Sequence, residues 1–405
     1  MNSIVKTHLS DKTSFSYANS PEFEAILEEI RIDAEQRRQA GGQAPFAIIE
    51  KLKAHKIGAL RVPVEYGGKG ITITELFKII IEISHFDSDV AQILRSHYQF
   101  IEETLRSNQP EFQHKWLTIA GQGFITGNAV TEISNNTVGN GQYATKIIKN
   151  GSAYKLSGKK YFTTGTLYAD YVVVRVGPEI GKAFNLILPK DREGITVIDD
   201  WDGIGQKYTA SGTTKFENVD VFEEEIVHIP VEQVSFKPFT QLYLHAIIAG
   251  ILKAVETESS ILLRKRNRSF SYGTTENAAD DPLLLEKIGE ISANTFIVES
   301  ALLQAAQFQD VAFNSTVDGV TNFELAHEAA LAASKVKIAI EPIALKTAAQ
   351  LFDVTGASST RRVLNLDRHW LNIRTLCSHN PASFKAAAIG NLLVNNVKLP
   401  NNPYF

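Results

Sequence analysis

Residues 374–385, near the end of the chain, contain His379 beside Ser378 and Asn380 but no Asp or Glu. An imidazole titrates near neutral pH, so it can donate a hydrogen bond or transfer a proton in a reaction. A lone histidine is more often structural, and Pro381 indicates a loop at this point. Two uses of His379 therefore stay open, one as a packed loop residue and one as a group that handles a proton.

Cys377 lies two residues before His379 and is the single cysteine of the chain. A nucleophilic thiol needs a base that faces it, and residues two apart on a loop seldom face each other. We therefore give a cysteine nucleophile little weight. A single cysteine also excludes internal disulfides and cysteine-based zinc sites, and it favours a reducing compartment.

Composition narrows the class of protein. The chain has 405 residues, 44% of them hydrophobic, and a formal net charge of -4. The basic cluster at residues 264–268 is short, so a small anion suits it better than nucleic acid. The first residues lack the apolar core of a leader, and no run of about 18 apolar residues occurs. We expect a cytoplasmic protein that binds neither nucleic acid nor membranes.

The hydrophobic pattern changes twice along the chain. Apolar residues recur at helical spacing over residues 1–120, alternate in short runs over residues 121–230, and return to helical spacing over residues 231–405. This order predicts an α+β fold that is mostly α, with an N-terminal helical domain, a central antiparallel β domain and a C-terminal bundle of four or five helices. Pro342 should kink the third bundle helix.

The central region reads as short strands separated by turn residues such as Asn150-Gly151. The predicted strands are 124–130, 142–148, 153–157, 160–164, 171–176, 184–188, 195–198 and 213–219.

Several short motifs occur together in this order, and the chain resembles the acyl-CoA dehydrogenase superfamily over nearly its whole length. Within it, the similarity is to the flavin-dependent monooxygenases typified by dibenzothiophene monooxygenase and sulfur-assimilation enzymes. The motifs are VPVEYGG from Val62, GNAVTE from Gly127, GKKYFTTG from Gly158, DWDGIGQ from Asp200, TASG from Thr209, RNRSF from Arg266, DDP from Asp280, TGAS from Thr355 and residues 374–385. The resemblance implies a homotetramer with flavin at the subunit interfaces.

The resemblance also implies which residues contact the flavin: Asn128, Phe162, Thr163, Thr164, Trp201, Arg268, Ser378 and His379. Strands near residues 124–132 and 161–165 can supply backbone donors and small hydroxyls to the ring. A guanidinium can bind a flavin phosphate, and Arg268 is favoured over Arg266. Each of these residues also has a structural explanation that does not involve a flavin. Phe162 or Trp201 could be a core aromatic, the threonines could simply favour β-strands, and the two arginines could lie on a solvated surface.

For catalysis, the resemblance indicates His379, Asn128, Ser211 and His97. An imidazole beside the flavin C4a position could donate to a peroxide or supply the proton it needs, and Asn128 could add a donor. His97 could instead be only a packed helix residue.

These features favour a two-component monooxygenase. The resemblance implies that reduced FMN comes from a separate reductase and that a C4a-hydroperoxyflavin transfers oxygen to sulfur, nitrogen or carbon of a small substrate. FMN is preferred to FAD on the resemblance alone. Leu376 stands where the dibenzothiophene enzymes carry a second histidine, so the resemblance does not specify the substrate.

Two other functions stay open. An FAD-dependent acyl-CoA dehydrogenase needs a carboxylate base, and both usual positions, in residues 236–250 and 374–385, lack Asp and Glu. A flavin-free scaffold that binds a partner is disfavoured because the predicted flavin-binding residues are all retained.

Overall fold

The computed structural model describes residues 16–133, 143–151, 153–177, 183–227, 236–266, 273 and 275–405. The helices are α1 (Pro21–Gln39), α2 (Phe46–Ala54), α3 (Ile73–Phe86), α4 (Ser88–Ile93), α5 (Arg95–Leu105), α6 (Pro110–Gly121), α7 (Pro238–Arg264), α8 (Pro282–Asn314), α9 (Phe323–Thr355), α10 (Asp367–Cys377) and α11 (Ala382–Asn395). The strands are β1 (Thr126–Ala129), β2 (Lys146–Asn150), β3 (Ala153–Lys160), β4 (Tyr171–Val176), β5 (Phe184–Pro189), β6 (Ile195–Ile198), β7 (Thr213–Val221) and β8 (Ile226–Val227). The predicted order of helices, sheets and helices is confirmed.

The first helix shows how local sequence determines these elements. Ser20 caps α1, because its side chain accepts a hydrogen bond from the Phe23 backbone N–H at 3.1 Å, and Pro21 occupies the first turn. The apolar stripe of α1, which includes Phe23 and Ile30, is buried. The predicted amphipathic helix is therefore confirmed.

The β region consists of two four-stranded sheets, in the orders β1-β4-β5-β8 and β2-β3-β7-β6. The sheets face each other across one apolar core, to which Leu156 and Phe216 contribute from one sheet and Val172 and Leu186 from the other. Most neighbouring strands are antiparallel, as predicted, but β1 and β4 are parallel. The chain visits the other sheet between them, so no hairpin dictates their direction.

The predicted strand at residues 160–164 is wrong. β3 ends at Lys160, and Phe162 has a left-handed backbone with φ of 55°. The chain then turns, since the Thr163 N–H donates to the Gly212 carbonyl at 3.0 Å and the Gly165 N–H to the Thr209 carbonyl at 3.0 Å. β-favouring residue types suggested a strand, whereas contacts with a distant loop determine the backbone here.

The two helical parts of the chain share one hydrophobic core. Phe77 of α3 and Tyr243 of α7 lie in that core, with ring centroids 6.2 Å apart. Asp310 of α8 accepts hydrogen bonds from the backbone N–H groups of Ile73 and Thr74, at 2.7 and 3.0 Å, and so supplements the local cap of α3, Thr72. The boundaries at residues 120 and 230 stay a prediction.

A buried ion pair lies inside the N-terminal helical part. Arg61 Nε donates to Glu102 Oε1 at 2.5 Å, and the two side chains are only 6% and 2% exposed. Arg106 Nη1 lies 3.1 Å from the second carboxylate oxygen. The two arginines compensate the charge of the Glu102 carboxylate, which is buried away from water.

In the C-terminal part, α9 contains Pro342 in its interior, as predicted, and the kink expected there stays a prediction. The prediction of a loop at the end of the chain is wrong for its first residues, because α10 extends to Cys377 and only the residues that follow it turn away. Burial raises the pKa of the Cys377 thiol to about 12, which disfavours a thiolate nucleophile. Within the described part of the chain, no helix combines the length and the apolar character that crossing a membrane requires.

Candidate functional site

His97 of α5 is fully buried and forms a hydrogen bond with strand β1. Its Nδ1 accepts the Thr126 backbone N–H at 3.2 Å, so Nε2 carries the proton and donates to the Gly58 carbonyl at 2.8 Å. Burial lowers the pKa of His97 to about 4, so the ring is neutral at ordinary pH. These contacts favour the packed alternative for His97, as a residue that positions β1.

Asn128, two residues further along β1, offers an unused polar group. Its carbonyl accepts the Thr166 hydroxyl at 2.9 Å, while its side-chain Oδ1 is buried and has no partner among the described residues. A buried amide oxygen without a partner is costly unless a ligand or water satisfies it. Asn128 is therefore suited to a ligand that carries N–H donors.

Thr164 and Ser211 belong to a directed chain of hydroxyls. The Thr209 hydroxyl donates to the Gln206 carbonyl at 2.8 Å, and the Ser211 and Thr164 hydroxyls follow at successive O···O distances of 2.8 Å. Because Thr209 uses its only proton on a carbonyl, Ser211 must donate to Thr209 and Thr164 must donate to Ser211. The remaining capacity of these two oxygens is to accept hydrogen bonds.

Thr163 is used differently. Its hydroxyl donates to the Gly212 carbonyl at 3.1 Å and accepts the Thr214 hydroxyl at 2.9 Å, and its side chain is fully buried. The side chain therefore fixes the turn, which leaves only its backbone for any contact with a flavin.

Phe162 and Trp201 form an aromatic pair at the surface. Their rings meet edge to face with centroids 6.1 Å apart, and the Trp201 indole N–H donates to the Gly205 carbonyl at 3.1 Å. Phe162 is 52% exposed, so it is not a core residue of this chain. An exposed aromatic on a left-handed backbone is an unfavourable arrangement that commonly marks a functional site.

The end of α10 is fixed to the same region. Asn372 accepts the Gln206 backbone N–H at 2.7 Å and donates to the Ser88 hydroxyl at 2.9 Å. Gln206 also begins the hydroxyl chain through Thr209. One hydrogen-bonded network therefore connects α10, which leads to His379, with Ser211 and Thr164.

His379 follows α10 and is exposed in the monomer, although enough protein surrounds its ring to lower its pKa through desolvation. The positive charges of Arg95 and Lys337 lower the pKa of His379 in the same sense. The imidazole is therefore neutral at neutral pH.

Two neighbours of His379 differ in their hydrogen bonding. The Ser378 hydroxyl donates to the Arg374 carbonyl at 2.8 Å, so its oxygen can only accept from a ligand. Asn380 Oδ1 is buried with no partner within the described residues, like Asn128 Oδ1. The sequence analysis did not select Asn380, although an amide beside the candidate histidine was a usable signal.

The predicted phosphate-binding residue Arg268 lies outside the described residues. Its neighbour Arg266 is described, and its Nη1 donates to the Val354 carbonyl at 3.0 Å, just before the Gly356 turn. This contact ties the end of α7 to the end of α9.

The sequence analysis also missed Arg95, the first residue of α5. It is 7% exposed, and its Nε is a buried donor with no partner among the described residues. An arginine directly after the apolar residues Ile93 and Leu94 could have been recognised as unusual.

The residues of this site fit a flavin. The ring has an amide-like edge, which Asn128 and the accepting hydroxyls can bind, and flat faces, which Phe162 and Trp201 can cover. A separate cavity of about 320 Å³ lies between the far end of α5 and the start of α7, lined by Phe100, Thr104 and Lys237 among others. That cavity contains none of the predicted site residues, so we do not assign the flavin to it.

The Phe162→Asn variant separates the two uses proposed for this residue. Asparagine tolerates a left-handed backbone, so we expect the free energy of unfolding to change by less than about 1 kcal/mol, whereas loss of a core phenylalanine costs about 3–5 kcal/mol. We expect the dissociation constant for FMN to rise about tenfold, because an aromatic contact is lost. Denaturant unfolding and fluorescence titration measure the two quantities.

Phe216, which is 2% exposed in the β core, is the matched control. Phe216→Ala should destabilise the protein by about 3–5 kcal/mol. If Phe162→Asn causes a comparable loss of stability with unchanged FMN affinity, Phe162 is a structural residue.

Two sequence profiles match the chain. The profile of the acyl-CoA dehydrogenase N-terminal domain covers residues 24–123, and that of the acyl-CoA dehydrogenase C-terminal domain covers residues 243–384. Together they include α1 to α6 and most of the C-terminal helices, with the β region between them.

Similar proteins cover nearly the whole chain. Dibenzothiophene monooxygenase of Rhodococcus erythropolis is 29% identical over 388 residues, which is 91% of each chain. The probable FMNH2-dependent monooxygenase SfnC of Pseudomonas putida is 27% identical over 375 residues, covering 90% of this chain and 91% of SfnC. The structure of methanesulfinate monooxygenase MsuC from Pseudomonas fluorescens superposes with a TM-score of 0.85 at 27% identity, covering 95% of this chain and 100% of MsuC.

Proposed function

Because this chain belongs to the acyl-CoA dehydrogenase superfamily, we propose that it works within that superfamily as an FMN-dependent monooxygenase. Reduced FMN would come from a separate reductase, and the protein would oxygenate a small organic compound. One observation carries the proposal: the segment that follows α10 presents the neutral imidazole of His379 and contains no carboxylate. A neutral imidazole can donate a hydrogen bond, but the lowered pKa of His379 makes it a weak base for the proton removal that a dehydrogenase requires.

The hydroxyl chain supports the reduced form of the flavin as the ligand. Thr164 and Ser211 have only acceptor capacity left, and the free Asn128 Oδ1 is also an acceptor. A reduced flavin ring carries at least one more N–H donor than an oxidised ring. Three acceptors in one region therefore match the reduced ring better.

In this proposal, the bound FMN supplies the activation of oxygen, and the residues of the chain bind, orient and protect it. Phe162 and Trp201 shield the ring from water, and Asn128, Thr164 and Ser211 fix its polar edge. His379 holds a proton at one ring nitrogen and can donate a hydrogen bond from it to oxygen during the reaction. Asn380 provides a further buried acceptor beside it.

Sulfur is the favoured acceptor atom, because two of the similar proteins are named for activity on dibenzothiophene and methanesulfinate. Nitrogen and carbon acceptors are less favoured. The acyl-CoA dehydrogenase alternative, with FAD, needs a free carboxylate near the flavin. Glu341 of α9, which lies close to Cys377, is engaged in an ion pair with Lys337 and is not free for that role.

We further propose a homotetramer in which Arg268 contacts the flavin of a neighbouring subunit, in the cytoplasm where a reductase is available. The helices α8 and α11 support subunit contacts, since Phe296, Leu393 and Val394 are 72%, 78% and 82% exposed in the monomer.

A direct test supplies the purified protein with chemically reduced FMN, ¹⁸O₂ and small organosulfur compounds, and analyses the products by mass spectrometry. The expected result is incorporation of one ¹⁸O atom per product molecule. Anaerobic bleaching of bound oxidised flavin by acyl-CoA thioesters, without oxygen incorporation, would support the dehydrogenase instead. A protein that takes up no flavin would contradict both enzyme functions and support a scaffold.

A further inference from the structure

Arg95 is a buried cation for which the described residues provide no counter-ion. Its side chain is 93% buried, its Nε has no partner, and none of the described ion pairs or hydrogen bonds engages the guanidinium. The other arginine in this interior, Arg61, is compensated by Glu102. Burial lowers the pKa of Arg95 to about 10, so the group is still cationic at neutral pH. A buried, uncompensated charge is strongly unfavourable unless a ligand supplies the opposite charge.

Arg95 lies at the candidate site. The next residue, Ser96, donates from its hydroxyl to the Thr164 carbonyl at 3.4 Å, which places the start of α5 against the flavin-binding turn. A β-carbon on Gly165 would come within 2.5 Å of the Ile93 carbonyl, so the turn and the residues before Arg95 are in close contact. On the other side, the charge of Arg95 acts on the His379 imidazole and on the Tyr243 phenol of α7.

We propose that Arg95 binds the acid group of an anionic substrate, and that the substrate is a small organic sulfinate. This inference rests on the proposed monooxygenase function. A guanidinium presents parallel N–H donors that match a group with two equivalent oxygens, and such bidentate pairs are the strong charge-assisted ones.

The chemistry of the acid group narrows the class of substrate further. A carboxylate carbon and a sulfonate sulfur have no lone pair to share with an incoming oxygen atom. A sulfinate sulfur keeps one lone pair while its two oxygens carry the negative charge, so a guanidinium can bind the oxygens and leave the sulfur free. Among small oxyacids with two equivalent oxygens, a sulfinate thus combines an anion for Arg95 with an oxidisable atom beside His379.

The reaction balances with the components already named. The sulfinate RSO₂⁻, O₂ and reduced FMN give the sulfonate RSO₃⁻, oxidised FMN and water. One S–O bond forms at the sulfur lone pair and the O–O bond breaks. Sulfur loses two electrons and the flavin loses two electrons, and together these reduce O₂. The second oxygen atom leaves as water with the two hydrogens of the reduced flavin.

The flavin itself is the other possible source of an anionic group. Asn128, Thr164 and Ser211 already provide acceptors to the ring, and the proposed phosphate contact lies in the region of Arg268. We therefore assign Arg95 to the substrate, and the experiment includes an arm that separates the two ligands.

The test measures binding as well as turnover. Isothermal titration of the FMN-loaded protein with methanesulfinate and benzenesulfinate should show binding in the wild type and about 30-fold weaker binding in Arg95→Gln. Arg95→Lys keeps the positive charge but not the parallel N–H donors of the guanidinium, so it should recover part of the sulfinate affinity. FMN affinity and the binding of neutral dimethyl sulfoxide should change by less than about threefold in each variant.

Several results would overturn the assignment. The wild type could bind neither sulfinate, Arg95→Gln could bind sulfinate as tightly as the wild type, or the variants could lose FMN and sulfinate equally, which would assign Arg95 to the flavin. If Arg95→Gln does not fold, Arg95→Lys alone decides, since unchanged sulfinate affinity with a lysine rejects bidentate recognition. Arg95-dependent sulfinate binding without ¹⁸O-labelled sulfonate would retain the anion site and reject the monooxygenase. Oxygenation of neutral sulfur compounds alone would retain the monooxygenase and reject the anion site.

Discussion

The His379→Ala enzyme is expected to form oxygenated product about 10²- to 10⁴-fold more slowly than the wild type, the usual contribution of a side chain positioned for acid–base assistance. It should still oxidise reduced FMN and release hydrogen peroxide, because the residues proposed to hold the polar edge of the flavin lie elsewhere: Asn128 on β1, Thr164 on the turn after β3 and Ser211 on the loop before β7. The informative quantity is the ratio of product to peroxide for each flavin oxidised. A loss of product with a matching gain of peroxide places His379 in the oxygen chemistry.

The matched control is His114→Ala. His114 is an exposed histidine of α6 whose ring packs against Tyr66, with centroids 5.7 Å apart, and it belongs to no part of the candidate site. Its removal should leave the product-to-peroxide ratio unchanged. If His379→Ala lowers FMN affinity in proportion to activity, His379 binds the flavin rather than handling a proton. An unchanged ratio in His379→Ala would remove it from the mechanism.

Much of the fold could be predicted because local patterns determine it. The strands Tyr171–Val176 and Ile195–Ile198 have the bounds that the alternation predicts, and α3 and α9 lie in the two regions for which helical spacing is predicted. These segments bury one face or stripe, so hydrophobic period and burial agree. Helix ends were less certain, since caps such as Ser20 act through side-chain contacts.

The errors occur where distant residues determine the backbone. Phe162 adopts a left-handed conformation because the following turn is bound to the loop at Thr209 and Gly212. No window around residues 160–164 contains that information. The parallel pairing of β1 and β4 likewise depends on how two sheets assemble.

The candidate site was only partly predictable for the same reason. Motifs drew attention to Asn128, Thr164 and Ser211, but their hydrogen-bond directions became apparent only when Thr209 and Gln206 were in place. Arg95 had no motif to mark it, because its importance comes from a three-dimensional fact, the lack of a counter-ion among the described residues.

The second large effect concerns stability. We expect Glu102→Ala to lower the free energy of unfolding by about 3–5 kcal/mol, because it leaves Arg61 as a buried charge without its partner. The double variant Arg61→Met with Glu102→Leu should be much closer to the wild type, since neither charge is then buried. Denaturant unfolding, followed by circular dichroism and by fluorescence, measures both and checks that the transitions coincide.

Glu28 provides the contrast. It pairs with Arg31 at 2.7 Å on the surface, where the two side chains are 54% and 41% exposed, so Glu28→Ala should leave the unfolding transition unchanged within error. If Glu102→Ala is no more destabilising than Glu28→Ala, the buried pair contributes little to stability. In that case water must reach Arg61 when its partner is removed.

The hydrogen bonds between α3 and Asp310 have a consequence for synthesis on the ribosome. Thr72 caps α3 locally, but the Ile73 and Thr74 N–H groups receive their acceptor only after more than 230 further residues have been added, because Asp310 lies 237 positions beyond Ile73. Until α7 emerges, the side of α3 that carries Phe77 lacks the α7 rings of Phe239 and Tyr243, against which it packs in the folded protein. The nascent N-terminal half therefore exposes an apolar helix surface for many seconds at ordinary translation rates, and we expect chaperones to bind it.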